Sequence, residues 1–135
     1  MKKMQIIFDS IVAITATFFT YLFGDADVAV ITLVIFMLLD YFTGVMIGVS
    51  EKKLSSAIGF SGLAKKMMII FILIAAVQLD KLQGTDQWMF RTLVCYFYIA
   101  NEGISLVENS GRLGLPVPNK IKKVLKQLKE SNDEI

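Results

Sequence analysis

Residues 28–49 read VAVITLVIFMLLDYFTGVMIGV, an apolar run of the ~20 residues that an α-helix needs to cross a bilayer core, with Asp40 as its one charged residue. Thirteen Val, Ile, Leu and Phe side chains in it each favour insertion by roughly 0.3–0.6 kcal/mol. Asp40 near mid-membrane opposes them by roughly 3 kcal/mol, so the apolar sum prevails. Three further apolar stretches flank this one, at residues 5–23, 63–82 and 88–107. The sequence therefore predicts an all-α membrane protein with four transmembrane helices, a reading that the charges on either side of the stretches make directional.

Lys2, Lys3, Lys52, Lys53, Lys65, Lys66, Arg112, Lys120, Lys122, Lys123, Lys126 and Lys129 all fall on one side of the four stretches. Of 14 Lys and Arg, only Lys81 and Arg91 fall on the other. Basic residues near span ends are retained in the cytoplasm, so the expected topology is N-in, C-in. The first outer turn, Gly24-Asp25-Ala26-Asp27, is short and acidic, and predicts a tight antiparallel hairpin of helices 1 and 2. Lys2 and Lys3 before an apolar run, with Gly24-Asp25-Ala26 after it, have the form of a signal peptide. The apolar run is longer than a usual signal core, so a retained helix is expected; if it lay at the interface instead, three crossings would remain.

A length of 135 residues, 55% of them hydrophobic, suits one small helical bundle, a single domain over residues 1–135. Four packed helices enclose only their own side chains, so a conduit for large solutes would need many copies. The absence of histidine and the single cysteine, Cys95 in an apolar stretch, exclude intramolecular disulfides and ordinary Cys/His metal sites. Cys95 reads as a small packing residue. With no phosphate loop or nucleophile arrangement, neither a cofactor nor an enzymatic activity is expected, and topology accounts for the net charge of +2 without nucleic acid.

The helices differ in how readily they insert. Helix 3 is strictly apolar only from Met67 to Leu79, and reaches spanning length if Lys65 and Lys66 extend their ammonium groups to the headgroups as snorkelling anchors. Helix 4 has eight Val, Ile, Leu or Phe residues but also Arg91, Asn101 and Glu102, which leaves it near balance and in need of partners. Trp88 marks its outer, interfacial end.

Two faces carry the candidate functional residues. In helix 2, Asp40, Gly44 and Gly48 share a face with Thr43 at its edge, and Gly44 to Gly48 forms a GxxxG element for helix packing or oligomerisation, within one subunit or between subunits. In helix 4, Asn101, Glu102, Ser105, Glu108 and Asn109 form a polar stripe that should line a lumen or join a polar network, although Glu108 and Asn109 also suit a helix end. Asp40 and Glu102 have three open roles: pairing with a basic or protonated group, lining water after assembly, or carrying protons. After Gly111, Gly114, Pro116 and Pro118 comes a cytoplasmic amphipathic tail at residues 115–135. Ile121, Val124, Leu125 and Leu128 form its apolar stripe, opposite Lys120, Lys122, Lys123, Lys126 and Lys129. Such a basic helix is expected to lie on an anionic membrane surface; the plainer alternative is a solvated tail that only enforces topology.

Asp40-Tyr41-Phe42-Thr43-Gly44, followed by Lys53-Leu54-Ser55-Ser56, Gly59, Gly62-Leu63 and Lys65-Lys66, resembles the phage-lysis and toxin-secretion holins. Asp80, then Ala100-Asn101-Glu102-Gly103-Ile104-Ser105 with Glu108-Asn109, and finally Gly114-Leu115-Pro116-Val117-Pro118, look like the later signature of the same family. The resemblance implies a multi-pass protein of the bacterial inner (cytoplasmic) membrane that forms a homo-oligomer in the lipid bilayer. It would open lesions that release an endolysin or a large toxin, as cargo that need not touch it. Assembly or lumen roles would then fall to Asp40, Thr43, Gly44, Asn101, Glu102 and Ser105. Met1-Lys2-Lys3-Met4 also looks like the two-start arrangement of some holins, although basic residues before a first helix serve topology alone in many proteins. Two other classes compete: a four-helix proton-coupled exporter resembling the small multidrug transporters, and a membrane adaptor whose tail recruits a soluble partner. The transporters commonly have weak Lys/Arg bias and little tail, unlike this chain.

Overall fold

The computed structural model describes residues 1–84 and 87–133. Five helices follow one another: α1 (Lys2–Phe23), α2 (Val28–Ser50), α3 (Ser56–Gln83), α4 (Met89–Arg112) and α5 (Asn119–Asp133). The described residues contain no strand. α1, α2 and α3 are long and apolar enough to cross a membrane, whereas α4 falls short on apolarity.

Local chemistry sets the helix ends. The Asp27 carboxylate accepts from Val30 N at 3.1 Å and starts α2, and the Ser55 hydroxyl accepts from Ile58 N at 3.2 Å and starts α3. That second cap begins α3 well before residue 63, where the strictly apolar pattern placed it. The added turns carry Gly59 and Gly62, which lie beneath the Tyr41 ring of α2. α3 ends at Gly84, whose φ of 64° lies in the left-handed region. α4 runs on to Arg112, beyond the expected end at residue 107, because its last turns are satisfied by polar neighbours.

α4 lies at the centre and packs against α2, α3 and α5. The core joins Val30, Leu33 and Met37 of α2 to Ile69 and Leu73 of α3 and to Cys95 and Ile99 of α4. Cys95 is fully buried there as a packing residue, as its apolar setting suggested.

α1 stands apart and buries none of its residues. The expected tight hairpin of the first two helices is not what forms: α1 leans on α3 through its outer end and does not pack along α2. In the turn between them, the Arg91 side chain of α4 enters and donates to the backbone carbonyls of Phe23 and Asp25. Lys81 of α3 adds a hydrogen bond to the Tyr21 carbonyl and sits 3.6 Å above the Tyr21 ring. An apolar groove of about 400 Å³ remains between α1 and the bundle, bounded by Phe19, Phe23, Val30, Val34, Ile70 and Leu73.

Candidate functional site

Asp40, Lys66 and Glu102 come from three different helices and meet in one layer. The Lys66 ammonium donates to Asp40 Oδ2 and to Glu102 Oε2, with the three side chains only 10–15% exposed. A buried carboxylate is expensive unless it is paired and hydrogen-bonded, and one ammonium here answers two. Asn109 supplies a neutral donor: its Nδ2 lies 3.1 Å from Asp40 Oδ1 and 2.9 Å from Thr43 Oγ1. The Thr43 hydroxyl donates to the Leu39 carbonyl at 2.8 Å. Four predicted residues, Asp40, Thr43, Glu102 and Asn109, thus form one network, completed by Lys66, which the sequence pattern places at the headgroups.

Lys66 is not a snorkelling anchor: its ammonium points into the bundle. Successive residues of a helix project ~100° apart, so Lys65 and Lys66 cannot share a face, and only Lys65 is exposed. The polar stripe of α4 also divides. Glu102, Ser105 and Asn109 line a cavity of about 380 Å³ beside Lys66, Asn101 is half-buried on another flank, and Glu108 is exposed.

Neither glycine of the GxxxG element seats a neighbouring helix, although Ile47 between them is buried. A Cβ on Gly44 would meet nothing within 4 Å, and one on Gly48 would meet Leu54 Cδ1 at 3.1 Å, in the loop after α2. Lys53 N and Leu54 N donate to the Gly48 carbonyl at 2.9 and 3.1 Å, so Gly48 seats that loop. Gly44 is left beside the open cavity.

A second polar cluster closes the end of the bundle that carries the α1–α2 turn. Arg91 is 2% exposed; its Nη1 lies 2.8 Å from Asp27 Oδ2, and its Nε lies 2.6 Å from the Phe23 carbonyl. Asp80, 1% exposed, accepts from Phe90 N at 2.9 Å and from Arg91 N at 2.8 Å, and so caps α4 from α3. The sequence reading assigned no site role to Asp27, Asp80 or Arg91. The available signal was Trp88, an N-cap residue with no side-chain acceptor to offer, which left the first α4 amides needing a partner from another helix.

The Arg91 guanidinium holds the Asp27 carboxyl below its ordinary value of 3.8, outweighing the opposing effect of burial. A carboxylate lowered in this way contributes stability that is fully present above its unfolded value and is lost as pH falls through its folded value. Protection of the amides in the α1–α2 turn, relative to their intrinsic exchange rates, should therefore be unaffected by this pair from pH 7 down to about 5 and fall only below about 4. An Asp27→Asn chain should lack that acid step; an identical step in both chains would refute the assignment.

The basic tail also differs from expectation. α5 does not lie free on a surface but packs against α4, with Leu125 buried over Gly103. A Cβ at Gly103 would come within 2.6 Å of Leu125 Cδ2 and 3.1 Å of Phe36 Cε2, so a side chain there would push Leu125 from the hollow it fills. Leu128 is half-buried, Ile121 and Val124 stay exposed, and Lys120, Lys122, Lys123, Lys126 and Lys129 are all exposed.

The sequence model of the bacteriophage holin family matches residues 17–130, which include every residue of both polar clusters. The chain belongs to the bacteriophage holin family. Among relatives of this holin, the probable holin of Bacillus phage phi105 is 32% identical over 115 residues, covering 84% of this chain and 83% of its own. An uncharacterised 14.9 kDa protein in the nagH 3′ region of Clostridium perfringens is 53% identical over 112 residues, 83% of this chain and 85% of its own. An uncharacterised Listeria monocytogenes protein is 41% identical over 107 residues, 79% of this chain and 76% of its own. No solved structure matches this holin. Family and apolar helices together make it a membrane protein.

Proposed function

We propose that this chain acts without catalysis, assembling with copies of itself in the bacterial cytoplasmic membrane and opening lesions through which an endolysin or a large toxin leaves. The observation that carries this reading is the Asp40–Lys66–Glu102 cluster in a chain of the holin family. The cluster cross-links α2, α3 and α4 of one subunit, while neighbouring Gly44 is left open to a second copy. One subunit encloses no passage of protein size, so large cargo requires assembly. Family membership favours this reading over a small proton-coupled exporter, and the twelve-to-two division of Lys and Arg supports both termini in the cytoplasm. α4, too polar to insert readily alone, becomes the fourth span by burying Arg91 and Glu102 against α2, α3 and the outer turn.

The test is to express the chain in bacteria and follow escape of a small dye and of a cytoplasmic enzyme together. Both should leave, the enzyme abruptly after a delay. Escape of the dye with full retention of the enzyme would overturn the large-lesion reading.

A further inference from the structure

The docking of α5 raises a problem that a lipid-surrounded bundle cannot solve. Gly103, the seat of Leu125, lies nine residues before the end of α4 at Arg112, which is ~13 Å along the helix. It adjoins Glu102, so it is level with the Asp40–Lys66–Glu102 layer. On α2 the outward surface stays apolar from that layer to the cytoplasmic end, with Phe42, Met46 and Val49 each more than half exposed. α5 therefore lies beside the part of the bundle that α2 presents to hydrocarbon. Yet α5 exposes Lys120, Lys122, Lys123, Lys126 and Lys129. Lys122 lies nearer the end of α4, beside Val107 and Gly111, but Lys126, next to Leu125, carries its ammonium at that depth, where a charge is costly in lipid and is accommodated where it faces water.

We infer that the Gly103 side of α4 faces a water-filled space, and that α5, clasped over Gly103 by Leu125, lines the cytoplasmic half of that space with lysines. The inference rests on reading α4 as a span, and it divides the subunit into a lipid side formed by α2 and α3 and a water side formed by α4 and α5. Between Asn119 and Glu130 the helix carries five lysines and one acid, so the lined space concentrates anionic solutes and repels cations. Among the described residues of α5, Leu125 is buried and Leu128 half-buried, while the main core joins only α2, α3 and α4, so α5 can leave α4 without loss of that core.

The experiment uses the full-length chain in proteoliposomes, with membrane-impermeant thiol reagents present on both faces so that orientation does not matter. Gln127→Cys, exposed on α5, leaves every lysine in place; Phe42→Cys reports the lipid side, and buried Cys95 serves as the unreactive internal control. Gln127→Cys should react at least tenfold faster than Phe42→Cys, and faster with an anionic than with a cationic reagent. Leu125→Ser, which removes the clasp without altering α4, should raise hydrogen exchange of the α5 amides at least tenfold while α2 stays protected. Equal rates at Gln127→Cys and Phe42→Cys, a preference for the cationic reagent, or α5 exchange unchanged by Leu125→Ser would each overturn the inference. Dye and enzyme escape are scored separately, so lesions without a reactive Gln127→Cys reject this inference alone.

Discussion

Lys66→Met is expected to lower the stability of the bundle by about 3–5 kcal/mol, the usual cost of removing one partner from a buried ion pair. The substitution keeps most of the side-chain volume but leaves Asp40 and Glu102 facing each other with no cation between them. Each is at most 15% exposed, so solvent screening does little to relieve the repulsion. Unfolding the purified protein in mixed micelles by titration with a denaturing detergent measures the loss. The triple variant Lys66→Met, Asp40→Asn, Glu102→Gln should regain most of it, because removing all the charges together also removes their desolvation cost. A single Lys66→Met chain as stable as its parent would show that the cluster does not hold the three helices.

Arg91→Leu has the second largest expected effect, about 2–3 kcal/mol. Hydrogen bonds to a charged group contribute ~1.5–3 kcal/mol, and this substitution removes the donors to the Phe23 and Asp25 carbonyls as well as to Asp27. The Asp27 carboxylate is 49% exposed and regains water, so its share is discounted. Amide exchange should rise across Gly24 to Asp27 and at the outer end of α1 while the Asp40 layer stays protected. Uniform exchange throughout the chain would mean that the clamp stabilises nothing local.

The two polar clusters were unequally legible in the sequence. Asp40 and Glu102 stand out because each interrupts an apolar run, where a polar group needs a partner, and Asn109 continues the helical spacing of the α4 stripe beyond that run. The partner itself was hidden by a helix boundary. With α3 taken to begin at residue 63, Lys66 sits in its first turn, where extension to the headgroups is the cheaper arrangement. With the Ser55 cap in place, Lys66 lies ten residues into the helix, ~15 Å from its start, and the ammonium finds carboxylates nearer than headgroups. The tail behaved similarly. Of the stripe Ile121, Val124, Leu125 and Leu128, only Leu125 is buried and Leu128 half-buried, because a stripe does not name the surface that receives it. Gly103 held that information, as a hollow in α4 that only a neighbouring side chain can fill. The outer clamp joins residues from Phe23 to Arg91, a pairing that no local periodicity encodes.

The isolation of α1 has a mechanical consequence. α2, α3 and α4 are fixed at their mutual angles by a common core and by the Asp40 layer, so a change in bilayer thickness can do little to their tilt. α1 has no buried residue and meets the bundle only near the α1–α2 turn, so, read as a span, it can pivot about Gly24 to keep its 22 residues matched to the hydrocarbon. A thinner or thicker membrane is thus registered by the subunit as the angle of one arm.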